Sequence, residues 1–276
     1  MGTVLLGTSS WSEKSWVGTV YPAGTRPGDY LSHYARRFRT VEADVTYYRV
    51  PDRRLVAGWD RKTPEGFILA AKFPRTVVHG GEEAKPDPDR ILVPERIGED
   101  SDRFLDSMRA LGAKCGPLIL QFPYFNREAF ARAEPFLKRL DAFLASLPRE
   151  FRYGVEVRNH AWIGEPLLDI LRRHKVALVL VEIAYMSHPA KWGPVADLVT
   201  AEFAYARLIG DRKAVEEKTK TFDRIVVDKS ESLRQWADLV KELAKRVPET
   251  YVYANNHFAG HAPATIEELE KLLRRK

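Results

Sequence analysis

Short apolar runs alternate along this chain with longer stretches in which apolar residues recur every three or four positions. The short runs occupy residues 4–8, 40–44, 67–72, 117–122, 153–158, 177–182, 203–208 and 251–255. Each has the length of a strand, and strands separated by helical segments build a parallel sheet. Eight repeats predict an α/β fold, a single (β/α)8 barrel of the TIM type over residues 1–276. Eight parallel strands with their helices close on themselves in about 250 residues.

The helical stretches differ in clarity. Residues 127–147 place Phe130, Ala133, Phe136, Leu137, Leu140, Phe143, Leu144 and Leu147 on one stripe, the mark of a helix with one buried face. After Lys229 the same spacing returns in Leu233, Trp236, Ala237, Val240, Leu243 and Ala244. The last helix is expected to open at Pro263, with Thr265-Ile266-Glu267-Glu268 as a capping box, in which hydroxyl and carboxylate satisfy free amides. After the sixth strand, residues 187–194 read as loop. Two long loops are expected near residues 82–102, where Pro86, Pro88 and Pro94 stand among charges, and near 210–228, rich in Lys and Glu.

Strand parity locates the candidate chemistry. In the fifth strand Glu156 and Arg158 share a face opposite Tyr153, Val155 and Val157, since successive side chains alternate across a strand. The outer face of a barrel strand meets helices and takes the apolar set, so Glu156 and Arg158 point inward near the upper end. The second strand sets Thr40, Glu42 and Asp44 against Val41 and Ala43, and the third ends its inward face on Lys72. Gln121, Glu182, Arg207, Asn255 and Asn256 supply further polar ends. Barrel enzymes carry their working groups at these C-terminal ends. The structural alternative is a buried ion-pair layer in which Glu42, Asp44, Glu156 and Glu182 balance Lys72, Arg75, Arg158 and Arg207. Such a layer gains little stability, because desolvation costs several kcal/mol per ion.

Composition narrows the classes further. With 45% hydrophobic and 30% charged residues the chain has the make-up of a globular protein. It has no apolar run of the roughly 20 residues that cross a bilayer. Strand-like sequence begins at Val4, which leaves no room for a secretory signal, so a cytoplasmic location and no membrane partner are expected. Cys115 is the single cysteine; it excludes an internal disulfide and a thiolate-rich zinc site, and it reads as a buried structural thiol. The net charge of +6 is modest for a chain of this length.

The same strand ends carry a family resemblance. Gly7-Thr8-Ser9-Ser10-Trp11, Thr40-Val41-Glu42 through Thr46-Tyr47-Tyr48-Arg49, and Lys72-Phe73-Pro74-Arg75 with His79 open the series. Gly116-Pro117-Leu118 with Gln121-Phe122-Pro123, Glu156-Val157-Arg158 with Trp162, and Tyr253-Ala254-Asn255-Asn256 complete it. Across nearly its full length the chain resembles the YecE-like family, domain-of-unknown-function family 72. The resemblance implies a barrel, akin in shape to barrel sugar isomerases and endonucleases, and implies no particular reaction. The sequence departs from the family's common pattern at Ser10, Asp44 and Tyr124, and in the histidines of Asn255-Asn256-His257-Phe258-Ala259-Gly260-His261.

Three chemistries fit these residues. In the first, Lys72, Arg158 and Arg207 hold a phosphate or carboxylate of a small molecule, Glu42 and Glu156 act as catalytic acid and base, and Gln121, Asn255, Asn256 and Trp11 position the rest of the ligand. This reading needs no metal or other cofactor and makes a small anionic ligand the expected partner. The second is a divalent-metal enzyme of sugar-isomerase or endonuclease type with Glu42, Glu156, Glu182 and His257 as ligands; the neighbouring fixed cations oppose it. The histidines at 257 and 261 have i, i+4 spacing, but Gly260 and Pro263 make that segment a loop instead of a zinc-binding helix. The third is non-catalytic nucleic-acid binding, with Trp11, Trp16, Tyr47, Tyr48, Tyr124, Trp162 and Trp192 as stacking surfaces, against the more ordinary reading of these aromatics as loop packing.

Overall fold

The computed structural model describes residues 1–275. Eight strands form: β1 Thr3–Thr8, β2 Thr40–Ala43, β3 Ile68–Lys72, β4 Cys115–Gln121, β5 Tyr153–Glu156, β6 Ala177–Ile183, β7 Phe203–Gly210 and β8 Glu249–Ala254. They make one parallel sheet in the order β1-β8-β7-β6-β5-β4-β3-β2, so the sheet curls into a nearly closed barrel wrapped by helices. Where a (β/α)8 repeat would place one helix after each strand, twelve α-helices occur among the described residues. Every strand is followed by at least one, and the connections after β2, β3, β7 and β8 carry two. No helix among the described residues is long and apolar enough to cross a membrane.

Closure is made without a ladder between β1 and β2. β1 pairs along its whole length with β8, from Thr3 opposite Glu249 to Thr8 opposite Ala254, and β2 pairs with β3. The seam between them is spanned by the buried Tyr34 hydroxyl, which accepts from the Thr8 amide at 2.9 Å and donates to the Thr40 carbonyl at 3.1 Å. The strands pass so close there that a Cβ on Gly7 would lie 2.3 Å from the Thr40 carbonyl oxygen, which only glycine avoids.

Inside the barrel the inward faces pack Leu5, Ala70, Ile119, Ala177, Val179, Phe203, Tyr205, Tyr251 and Tyr253 into a lumen core. The larger apolar set lies between the strands and the helices, as expected for a sheet covered on its outer face.

Several expected elements take different bounds. The helix expected over 127–147 is Ala133–Ser146. Pro135 falls in its first turn, and a proline lacks the amide that a further upstream turn would need. Phe130 instead joins an aromatic cluster with Phe125, Phe136 and Trp162. The loop expected over 82–102 is cut short by the helix Pro94–Met108, with Pro94 at its first positions. Within 210–228 the short helix Arg212–Glu216 forms. The final helix begins at Ala262 with Pro263 in its first turn, but the capping box does not form: the Thr265 hydroxyl donates back to the His261 carbonyl at 2.9 Å. Asn256 Oδ1 accepts from the Ala262 amide instead. Residues 187–194 form loop with a single 3₁₀ turn at Pro189–Lys191.

Candidate functional site

Above the lumen core, at the C-terminal ends of the strands, lies a dry ionic layer. Arg207 on β7 is its centre. Its guanidinium donates to Glu42 Oε1 at 2.9 Å, to Gln121 Oε1 at 2.7 Å and to Glu156 Oε2. Tyr205, two residues earlier on the same face, donates its hydroxyl to Glu42 Oε2 at 2.7 Å. The side chains of Glu42 and Glu156 are 0% exposed and that of Arg207 is 2% exposed. Ions this deep persist only when paired and hydrogen-bonded. Burial by itself would raise the Glu156 carboxyl, but the Arg207 and Arg158 charges outweigh it and hold the group below the usual carboxylate range. Burial likewise opposes the Arg207 charge, and Glu156 and Glu42 more than restore it. Tyr205 is pushed well above its ordinary value by burial and by the Glu42 charge.

The rim above this layer is only partly filled. Arg158 donates Nε to Glu156 Oε1 at 2.9 Å, and its side chain is 24% exposed. Among the described residues Glu156 is the one carboxylate it pairs with, through Nε, and the Tyr185 hydroxyl stands against the rest of the guanidinium. Lys72 is buried; its ammonium pairs with Asp44, stands 3.5 Å from Gln121 Oε1 and lies 5.1 Å from the Tyr47 ring centroid. Gln121 thereby links the lysine to Arg207. Arg75 rests 5.3 Å from both the Tyr47 and Tyr48 rings and donates to the Glu82 carbonyl at 2.8 Å. Behind it the Tyr47 hydroxyl meets His79 Nε2 at 2.5 Å, while His79 Nδ1 faces the Ala84 carbonyl at 3.2 Å. The carbonyl fixes the proton on Nδ1 and leaves Nε2 to accept. Burial, with the Arg75 and Arg158 charges, pushes His79 down to about 4.

The structure therefore brings Glu42, Lys72, Gln121, Glu156, Arg158 and Arg207 to one end of the barrel. Other expected residues lie apart from this set. Glu182 faces outward, accepting from the Ser232 hydroxyl and the Trp236 indole at 2.6 Å each, in the helix layer. On β6 both faces are apolar, so parity gave no warning. Asn255 Oδ1 accepts from the amide and Nδ1 of His257 at 2.9 Å, and Asn256 caps the last helix; both side-chain carbonyls are engaged locally. Trp11 packs edge-to-face on Trp59 at 5.4 Å. His257 reaches Glu216 on the helix Arg212–Glu216 at 3.2 Å, so the four carboxylate and histidine ligands of the metal reading do not converge. Among the described residues no three His, Cys, Asp or Glu side chains assemble as a metal-ligand set. Burial pushes the Cys115 thiol up to about 12, leaving it protonated and unreactive.

Tyr205, Tyr47 and His79 belong to the site's support and were not singled out by strand ends. Tyr205 was open to the same parity that found Arg207, two positions on. The loop aromatics divide: Trp16 is buried, Trp162 stacks on Phe125 at 5.8 Å, and Trp192 donates its indole to the Ser187 carbonyl at 2.9 Å. Tyr48 and Tyr124 remain exposed.

Fold and site together define an α/β barrel whose lumen ends in a buried carboxylate–guanidinium layer beneath an open cationic rim. The chain belongs to the family described as protein of unknown function DUF72, whose model matches residues 5–276. It is 34% identical over 156 residues to the UPF0759 protein YecE of Escherichia coli K12, an alignment covering 56% of this chain and 48% of that protein. The chain thus spans about half the length of the curated relatives it matches. A crystal structure of a DUF72 family protein from Thermotoga maritima superposes with a TM-score of 0.74 at 27% identity, covering 99% of this chain and 100% of that one. A DUF72 family protein from Enterococcus faecalis gives 0.69 at 20% identity over 100% and 99% of the two chains, a likeness that shows the fold alone.

Proposed function

We propose that residues 1–276 act as one barrel unit whose mouth binds a small molecule bearing a phosphate or carboxylate, with Arg158 as the anchor. The observation that carries this reading is the state of the Arg158 guanidinium. Its Nε is fixed on Glu156, and its terminal nitrogens reach the rim with no carboxylate partner of their own, beside the Tyr185 hydroxyl. A fork held this way is ready for bidentate recognition of an oxyanion. Lys72 and Arg75 add positive charge beside it, whereas Arg207, expected among the ligand's contacts, serves as the buried post beneath them. Proton transfer in this reading falls to Glu156, a carboxylate at neutral pH because its pKa is lowered. Glu42, expected as its acid–base partner, holds Arg207 and Tyr205 in place.

Unfolding the protein in urea with and without a panel of phosphate, sulfate, phosphorylated sugars and dicarboxylates tests the proposal. A bound anion at a hundred times its dissociation constant stabilises the fold by about 2.7 kcal/mol. Arg158→Ala abolishes that gain and leaves the unliganded barrel folded, while Arg246→Ala, at the opposite end, keeps it. Full retention of the gain in Arg158→Ala, or no gain with any anion, defeats the reading.

A further inference from the structure

Three aromatic side chains stand exposed among the described residues, and all three follow barrel strands at the mouth. Tyr48 after β2 is 66% exposed, Tyr124 after β4 58% and Tyr185 after β6 60%. A single exposed aromatic is ordinary on any surface. Here none stands on the long helices that wrap the barrel or at its other end.

The three are not equivalent. The Tyr48 ring already carries the Arg75 guanidinium at 5.3 Å. Tyr124 and Tyr185 instead meet edge to face, with centroids 6.4 Å apart and planes at 80°. A pair in this arrangement leaves a ring face open beside the edge of its partner, a corner shaped for a third flat ring. Tyr185 also stands beside Arg158, its hydroxyl within reach of a hydrogen bond to the guanidinium. The rim cation and the open aromatic corner therefore adjoin.

We propose that the ligand of this mouth is an anion that carries a flat ring, of the build of a nucleoside monophosphate, with its oxyanion on Arg158 and its ring in the Tyr124–Tyr185 corner. This rests on the anion reading above and specifies it. A small molecule fits better than a nucleic-acid strand, because a strand gains from a row of unpaired cations along its phosphates, whereas beside Arg158 the Lys72 ammonium is already paired with Asp44.

Calorimetric titration of the full chain with inorganic phosphate, ribose 5-phosphate, adenosine monophosphate and a short single-stranded oligonucleotide tests the inference. Stacking one base on an aromatic corner strengthens binding about tenfold or more, so adenosine monophosphate binds at least that much tighter than ribose 5-phosphate. Tyr185→Ala, at an exposed position that leaves the core untouched, brings the two to equal affinity without weakening ribose 5-phosphate, and Tyr185→Phe keeps the difference. Equal affinity of the two phosphates in the unaltered protein overturns the ring inference and leaves the anion reading standing. Binding of no probe at all overturns both. Tighter, steeply salt-dependent binding of the oligonucleotide overturns the commitment to a small molecule.

Discussion

The two ends of the barrel use the same three residue types to opposite effect. Where the strands begin, Arg152 lies 5.7 Å from the Phe203 ring and 5.4 Å from the Tyr251 ring and pairs with Glu249, which also accepts the Tyr251 hydroxyl at 2.8 Å. Where they end, Arg207 meets Glu42 and Glu156, and Tyr205 donates to Glu42. The lower pair is 38% and 37% exposed, the upper arginine 2% with carboxylates at 0%. Wet, the arginine and its carboxylate are a plug whose stem covers the buried Tyr251 ring. Dry, the same pairing is a fixed electrostatic post that holds the rim cation Arg158 through Glu156. Depth, not composition, separates the two ends.

The sharpest way to break this comparison is to delete the arginines one at a time. Arg207→Ala leaves two buried carboxylates facing each other and costs about 3–5 kcal/mol in urea unfolding; a loss under about 1 kcal/mol would make the two ends energetically alike. Replacing Arg207, Glu42 and Glu156 together by Met, Gln and Gln recovers much of that loss, since a paired buried ion adds little net stability. Acid titration comes next. His79 in the mouth wall is held down to about 4 in the folded protein, so the unfolded chain takes up a proton that the folded one refuses as pH falls below about 6.5. Stability is lost from about pH 6.5 to about 4, with a slope from this group approaching about 1.4 kcal/mol per pH unit. His79→Asn flattens that part of the curve, and an unchanged slope would remove His79 from the mouth's pH response. The smallest effect belongs to the wet end: Arg152→Ala costs about 1 kcal/mol or less, most of it as lost packing on Phe203 and Tyr251, and is insensitive to salt.

How far the sequence carried the argument follows from where its two faces differed. On β2 and on β5 with the two residues after it a polar face opposes an apolar one, and on β7 Tyr205 and Arg207 alternate with Ala204, Ala206 and Leu208, so Glu42, Glu156, Arg158 and Arg207 could be assigned an inward direction from the order of residues alone. On β6 the run Ala177-Leu-Val-Leu-Val-Glu182 is apolar on both faces, and the direction of Glu182 was set by an indole and a hydroxyl on a helix fifty residues away. Exposure was hidden for the same reason. Nothing local distinguishes Arg158, which reaches the rim, from Arg207, whose two terminal nitrogens are taken up by residues of three different strands. One helix start moved, where Pro135 overruled a period, and one cap failed, where the Thr265 hydroxyl donates to the His261 carbonyl and caps no free amide.

The seam closed by Tyr34 has a consequence in time. β1 finds its entire ladder on β8, roughly 240 residues further along the chain, and across the seam to β2 it has a phenol in place of a ladder. During synthesis the barrel's first strand thus has no backbone partner until its eighth has been made, an interval of roughly ten seconds to a minute at the usual pace of translation. Strands β2 to β7 can register against one another in order of appearance, each with the next. The first strand is then the keystone, placed after the arch it completes.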